Sequence, residues 1–191
     1  MTDKEFWDWF LTKKTEIEEF IIAETDDYTI YNELTDKLKS YNDLVIPELT
    51  KDTQDNSVLI LSCDGKRDGI PYVEKLYESA PKIDKWRIQK FRAPGHVNKL
   101  NYQGLEFKSN DLRIKYDFDG QYYNIKLFIK GYKDNDDRFK GLAFLYLDHF
   151  IGEYNIMTKV GQIEFKKLGL FANTSDKVTL QDFRAIVERL N

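Results

Sequence analysis

The chain has 191 residues, of which 41% are apolar, 15% aromatic and 32% charged, a balance that excludes wholesale disorder and supports a substantial core without disulfide or metal staples. Its 29 basic and 33 acidic residues leave a net charge of −4, which argues against recognition of nucleic-acid phosphates, because that needs a basic surface. The longest apolar run, residues 142–147, falls far short of the roughly 20 residues that cross a bilayer, so no membrane span is expected.

Thr2 and Glu5 form a capping-box pattern, and Phe6, Phe10, Ile17, Phe20 and Ile21 follow at helical spacing, which predicts a helix over the first 24 residues. Thr15 with Glu18 repeats the signature and marks Lys13 and Lys14 as a candidate break. Tyr31, Leu34, Leu38 and Tyr41 share a second helical stripe over residues 28–41. The segments "LVIPEL" and "SVLILSC" are short and rich in branched side chains, so they read as an antiparallel strand pair. Pro47 cannot donate to a ladder and places the first of them at an edge or at a bulge.

Pro71 suits the first turn of a short helix carrying Val73, Leu76, Tyr77 and Ala80, and Pro81 ends it. Strands are predicted over residues 86–91, 104–107, 112–118 and 122–129, the last two joined by the Asp119-Gly120 hairpin signal. Tyr123, Ile125, Leu127 and Ile129 alternate with Asn124, Lys126 and Phe128, which gives that strand one buried face. The stretch "RFKGLAFLYLDHF" is apolar almost all round a helical wheel and is expected at the domain centre. A strand over residues 154–165 should follow, then a final helix opened by Thr179 and Asp182 with Phe183, Ile186, Val187 and Leu190 on one stripe.

Strands linked mostly by turns, with helices at the ends and one in the middle, indicate an α+β fold, an antiparallel sheet packed with N-terminal, central and C-terminal helices. No repeat or linker divides the sequence, so one globular domain over residues 1–191 is expected. A single cysteine, Cys63, cannot form an internal disulfide, and the N-terminal decapeptide "MTDKEFWDWF" lacks the basic-then-apolar order of a signal peptide. A cytoplasmic protein is the expectation.

Three landmarks, "FWDWF", "SAPKIDKWRIQKFRAPG" and "LDHFIGEY" followed by Gly161, resemble a group of uncharacterised bacterial proteins. That group shares an aromatic N-terminal helix, an alanine-proline segment leading to a tryptophan strand and an arginine, and a late leucine-aspartate and glycine-glutamate segment. The resemblance covers most of the chain and implies no activity and no catalytic residues. In size and charge the chain is also similar to the small acidic immunity proteins with which bacteria neutralise toxins.

Asp148, His149 and Glu153 cluster at the end of the central helix, where His149 and Glu153 at i and i+4 would give a divalent metal two ligands on one face. Two ligands are fewer than a site requires, and a helix end terminated by Gly152 explains the same residues. Cys63 beside Asp64 offers a nucleophile with His96 or His149 as base, against the simpler reading of an inert strand-end thiol. Asp134, Asp136 and Asp137 fail the calcium-loop pattern at Arg138 and Phe139 and fit a solvated loop before a helix N-terminus. No phosphate-cradling glycine motif and no nucleophile elbow is present, and no cofactor is expected.

The aromatic residues number 28, a surplus that suits both cores and protein interfaces. Trp9 lies about 100° round the helix from Phe10, which makes it a candidate surface anchor. Arg92, at the end of the Trp86 strand, is read as a structural ion pair to Glu153 or an aspartate, with reading of a carboxylate or other anion as the alternative. The leading expectation is a non-enzymatic protein that binds another, basic protein through an acidic, aromatic surface; the binding candidates are Trp9, Arg92, Asp148, His149 and Glu153. The alternatives are a hydrolase or metal-dependent enzyme at Asp148, His149 and Glu153, and a homodimer built on the aromatic surface.

Overall fold

The computed structural model describes residues 1–23, 25–95, 99–169 and 174–190. The fold is α+β, with six α-helices and eight strands in three small sheets among those residues. By its contacts the chain gathers into two compact units, Met1–Arg92 and Ala93–Asn191.

The first unit opens with α1 (Asp3–Ile22), whose capping box forms as the sequence predicts: Thr2 Oγ1 accepts from the Glu5 amide at 3.2 Å and the Glu5 carboxylate accepts from the Thr2 amide at 2.7 Å. The helix runs unbroken past Lys13 and Lys14, because the stripe of Phe6, Phe10 and Ile17 continues into the core. Trp7 is buried with it, its ring 4.9 Å from Phe6 and 5.5 Å from Phe10, and its indole N–H donates to the Leu76 carbonyl at 3.0 Å. Helix α2 (Thr29–Tyr41) buries Leu34 and Leu38.

Strands β1 (Ile46–Lys51) and β2 (Ser57–Ser62) pair antiparallel from Ile46↔Ser62 to Lys51↔Ser57, and Pro47 lies on the edge strand as expected. Helix α3 (Ile70–Glu78), with proline in its first turn, then carries the chain to β3 (Trp86–Lys90), which joins the other side of β2 in parallel. The Trp86 ring stands edge-on to Phe10 at 5.0 Å, so α1 covers this face of the sheet.

The second unit begins with a small hairpin, β4 (Lys99–Tyr102) and β5 (Leu105–Lys108), of which β4 goes beyond the predicted strands. Strands β6 (Leu112–Phe118) and β7 (Tyr123–Lys130) pair antiparallel across the Asp119-Gly120 turn. Gly120 there has φ +97°, and Asp119 accepts from the amides of Gln121 and Tyr122 at 2.9 and 2.8 Å. Those donors hold the Asp119 carboxyl below its ordinary pKa. As the alternation requires, Tyr123, Ile125, Leu127 and Ile129 are all buried.

Helix α4 (Arg138–Ile151) lies over that face and buries Phe139, Leu142, Ala143, Tyr146, Leu147, Phe150 and Ile151, while Phe144 stays 44% exposed. Its central place in the core matches its near-uniform apolarity. The predicted strand over residues 154–165 is corrected in its first half: α5 (Glu153–Lys159) is helical, and β8 (Val160–Leu168) begins only after it. The physical reason is period: Glu153, Ile156, Met157 and Val160 are the buried positions, at i, i+3, i+4 and i+7. Strand β8 pairs with β7 in parallel, so each three-stranded sheet holds one antiparallel and one parallel pair. Helix α6 (Leu180–Glu188) starts on the predicted Thr179–Asp182 capping box and buries Leu180, Phe183 and Val187.

Candidate functional site

The chain's acidity belongs to one unit. Residues 1–92 hold 14 Lys and Arg against 20 Asp and Glu, net −6, whereas residues 93–191 hold 15 against 13, net +2. Within the first unit, residues 1–45 carry 12 acids and 5 bases, so the negative field centres on the α1–α2 hairpin.

At the corner where α1 gives way to α2, a groove of about 350 Å³ opens, with Phe20 and Ile30 as apolar lining and Glu16, Glu19, Asp27 and Glu33 around it. An aromatic triad backs it: the Phe20 ring stacks on Tyr31 at 5.7 Å and meets Tyr28 edge-on at 5.7 Å. Tyr31 is anchored by its hydroxyl, which donates to the Pro47 carbonyl at 3.1 Å, and burial pushes that phenol's pKa up. Tyr28 and Ile22 are exposed at 53% and 66%. The carboxylates differ in what holds them. Asp27 accepts from the amide and hydroxyl of Thr29, which lowers its pKa. Lys13 places its ammonium 3.0 Å from Glu16 and 3.9 Å from Glu33, and Glu16 in turn raises the lysine pKa. The groove's rim therefore already receives an ammonium group from the chain itself.

Trp9 stands beside this rim. It is half-buried, its indole N–H donates to Glu33 at 3.1 Å, and the Lys37 ammonium lies 5.7 Å over its ring. The expected surface tryptophan is thus partly covered by α2, while Trp7 is the fully packed member of the pair.

Arg92 is 10% exposed and forms ion pairs with Glu48 on β1 and with Asp64, the latter at 3.2 Å. It ties together the carboxyl ends of β2 and β3, and an aspartate is among its partners as expected. The backbone turns sharply here: Asp64 and Phe91 have φ of +51° and +59°. Cys63 is buried with no exposed surface, which fits an inert strand-end thiol.

Asp148, His149 and Glu153 do not share one helical face. Gly152, at φ +93° and ψ 138°, ends α4 and separates it from α5, and that break lies between His149 and Glu153. Glu153 is fully buried at the start of α5, and the His149 carbonyl accepts from the Gly95 amide at 2.8 Å. His96, the alternative base for Cys63, lies outside the described residues. Among the described residues no group of three or more His, Cys, Asp or Glu side chains is placed to hold a metal ion. Asp136 pairs with Arg138 at 2.8 Å and accepts from its amide, which agrees with the reading of that loop as a lead-in to α4.

The groove residues Glu16, Glu19, Asp27 and Glu33 escape sequence reasoning, because in sequence they look like the polar faces of two amphipathic helices. The signal was the local excess of acids over bases in residues 1–45, diluted when charge is summed over the whole chain. No family model, curated protein or solved structure matches this chain. No helix among the described residues is long and apolar enough to cross a membrane.

Proposed function

We propose that this is a non-enzymatic interaction protein whose α1–α2 corner receives a basic segment of another protein. The observation that carries the reading is the groove itself, four carboxylates around Phe20 and Ile30 with Tyr28 exposed beside Phe20. A lysine or arginine suits such a site, since its aliphatic stem can lie on the apolar lining while its cationic head meets the rim. The net −6 of this unit would steer a basic partner toward it, and Tyr28 with the apolar lining would supply desolvated contact. Neutralisation of a basic toxin, in the manner of an immunity protein, is one form such an interaction takes. We place the protein in the cytoplasm as part of the same reading, since its single thiol is buried and asks for no oxidising compartment.

An amphipathic peptide of alternating arginine and leucine, titrated into the isotopically labelled full chain, tests the proposal by amide chemical shifts. Saturable shifts at Glu16, Glu19, Phe20 and Ile30 that weaken as salt is added are expected. Shifts confined to the β6–β8 sheet, or none, would overturn it.

A further inference from the structure

We infer that a second copy of this chain pairs with β8, edge to edge and antiparallel, joining two three-stranded sheets into one of six. Strand β8 is the outer member of the order β6-β7-β8 and is nine residues long, long enough to act as a template for another strand. The protein blunts its comparable edges elsewhere: β1 carries Pro47, and β3 has five residues. On the α4 side of β8, Ile163 and Phe165 are only half-buried. The Phe165 ring meets Phe144 at 5.5 Å, and Phe144 is itself 44% exposed. The apolar surface thus runs to the sheet edge and is left open there among the described residues.

Charge selects the occupant. On the other side of β8, Gln162, Glu164 and Lys166 are exposed. A two-fold axis through Phe165, perpendicular to the sheet, sets the Phe165 rings of the two copies opposite each other. It also sets Glu164 of each copy opposite Lys166 of the other. Within one chain Glu164 already receives the ammonium groups of Lys126 at 3.4 Å and Lys166 at 2.5 Å, so in the paired sheets each Glu164 would stand among ammonium groups of both copies. Moving the axis to Glu164 or to Lys166 brings like charges face to face, so this register is preferred over its neighbours. The same operation on β3, centred at Ile88, opposes Arg87 with Gln89 and offers no such match.

Sedimentation of the full chain over a range of concentrations should show a monomer–dimer equilibrium. Glu164→Lys and Lys166→Glu each place two like-charged pairs across the axis and should weaken self-association by about tenfold or more. Mixing the two variants is the discriminating arm, because one then carries two lysines and the other two glutamates at these positions, and both cross-strand pairs of their heterodimer again join opposite charges. Dimer restored in the equimolar mixture supports the pairing, and helical content measured on each variant confirms that it is folded. A wild-type monomer at every concentration, variants that dimerise as the wild type does, or a mixture no more associated than its components would overturn it.

Discussion

The two units share a strand plan and differ in what they leave outside it. In each, an antiparallel hairpin is followed by helix and then by a third strand lying parallel to the second, giving the orders β1-β2-β3 and β6-β7-β8. The first unit makes the crossover with the nine residues of α3, whereas the second uses α4 and α5, with fourteen and seven. The charge follows the added elements: α1 and the residues that lead from it to α2 hold nine acids against three bases, while the second unit carries a slight positive excess. The same sheet order therefore supports two different surfaces, an acidic helical corner in one unit and an open strand edge in the other.

The largest losses are expected in the central strands of the two units. Leu59 on β2 and Leu127 on β7 are both fully buried, and truncation of either to alanine should cost about 2–5 kcal/mol in urea unfolding. Tryptophan fluorescence follows the first case, because Trp7, Trp9 and Trp86 all lie in the first unit, and circular dichroism follows the second. A cost below about 1 kcal/mol at either position would deny that strand its central role.

Gly152 tests the helix break specific to the second unit. Alanine there meets a positive φ, and its Cβ would lie 2.8 Å from the Pro94 ring, so Gly152→Ala should destabilise by about 2–4 kcal/mol. Stability equal to wild type would mean that α4 and α5 do not part at this residue. In the first unit, Trp7→Phe keeps most of the ring packing but leaves the Leu76 carbonyl without the indole donor. A loss of about 1–2 kcal/mol is expected by the same unfolding measurement.

Arg92→Gln should cost less, about 1 kcal/mol, since Glu48 and Asp64 are 33% and 60% exposed and water can solvate them once the guanidinium is gone. The smallest effect belongs to Asp176, whose carboxylate accepts from Lys115 at 2.8 Å and Lys177 at 2.6 Å. These ammonium groups lower its pKa from 3.8 to about 2. A depressed acid contributes its stabilisation in full above the ordinary value and loses it as pH falls toward 2. Carboxyl NMR titration should find a midpoint near 2, and a midpoint near 3.8 would remove those ion pairs from solution.

Much of this fold was legible in local chemistry. Both capping boxes, the Asp119-Gly120 turn and the edge position of Pro47 form as residue types and spacing require, because each depends on neighbours within a few positions. The parallel joins of β3 and β8 were not legible, since strand direction after a helix depends on where the crossover returns the chain and leaves no mark in period. Residues 154–159 carry an ambiguous pattern, because Ile156 and Val160 suit either structure, and only the burial of Met157 at the helical interval decides between them. At the candidate site the acids were visible one by one. Their convergence around Phe20 requires the angle between two helices, which no spacing within either helix contains.

Calorimetric titration of the arginine–leucine peptide into wild-type protein and into the Glu16→Gln/Glu19→Gln double variant tests the acidic corner most directly. Saturable binding by the wild type, weakened about tenfold in the variant while thermal unfolding stays unchanged, is the expected result. Equal affinity for the two proteins, or no binding to either, would contradict the assignment of the α1–α2 groove as the place where this protein meets a basic partner.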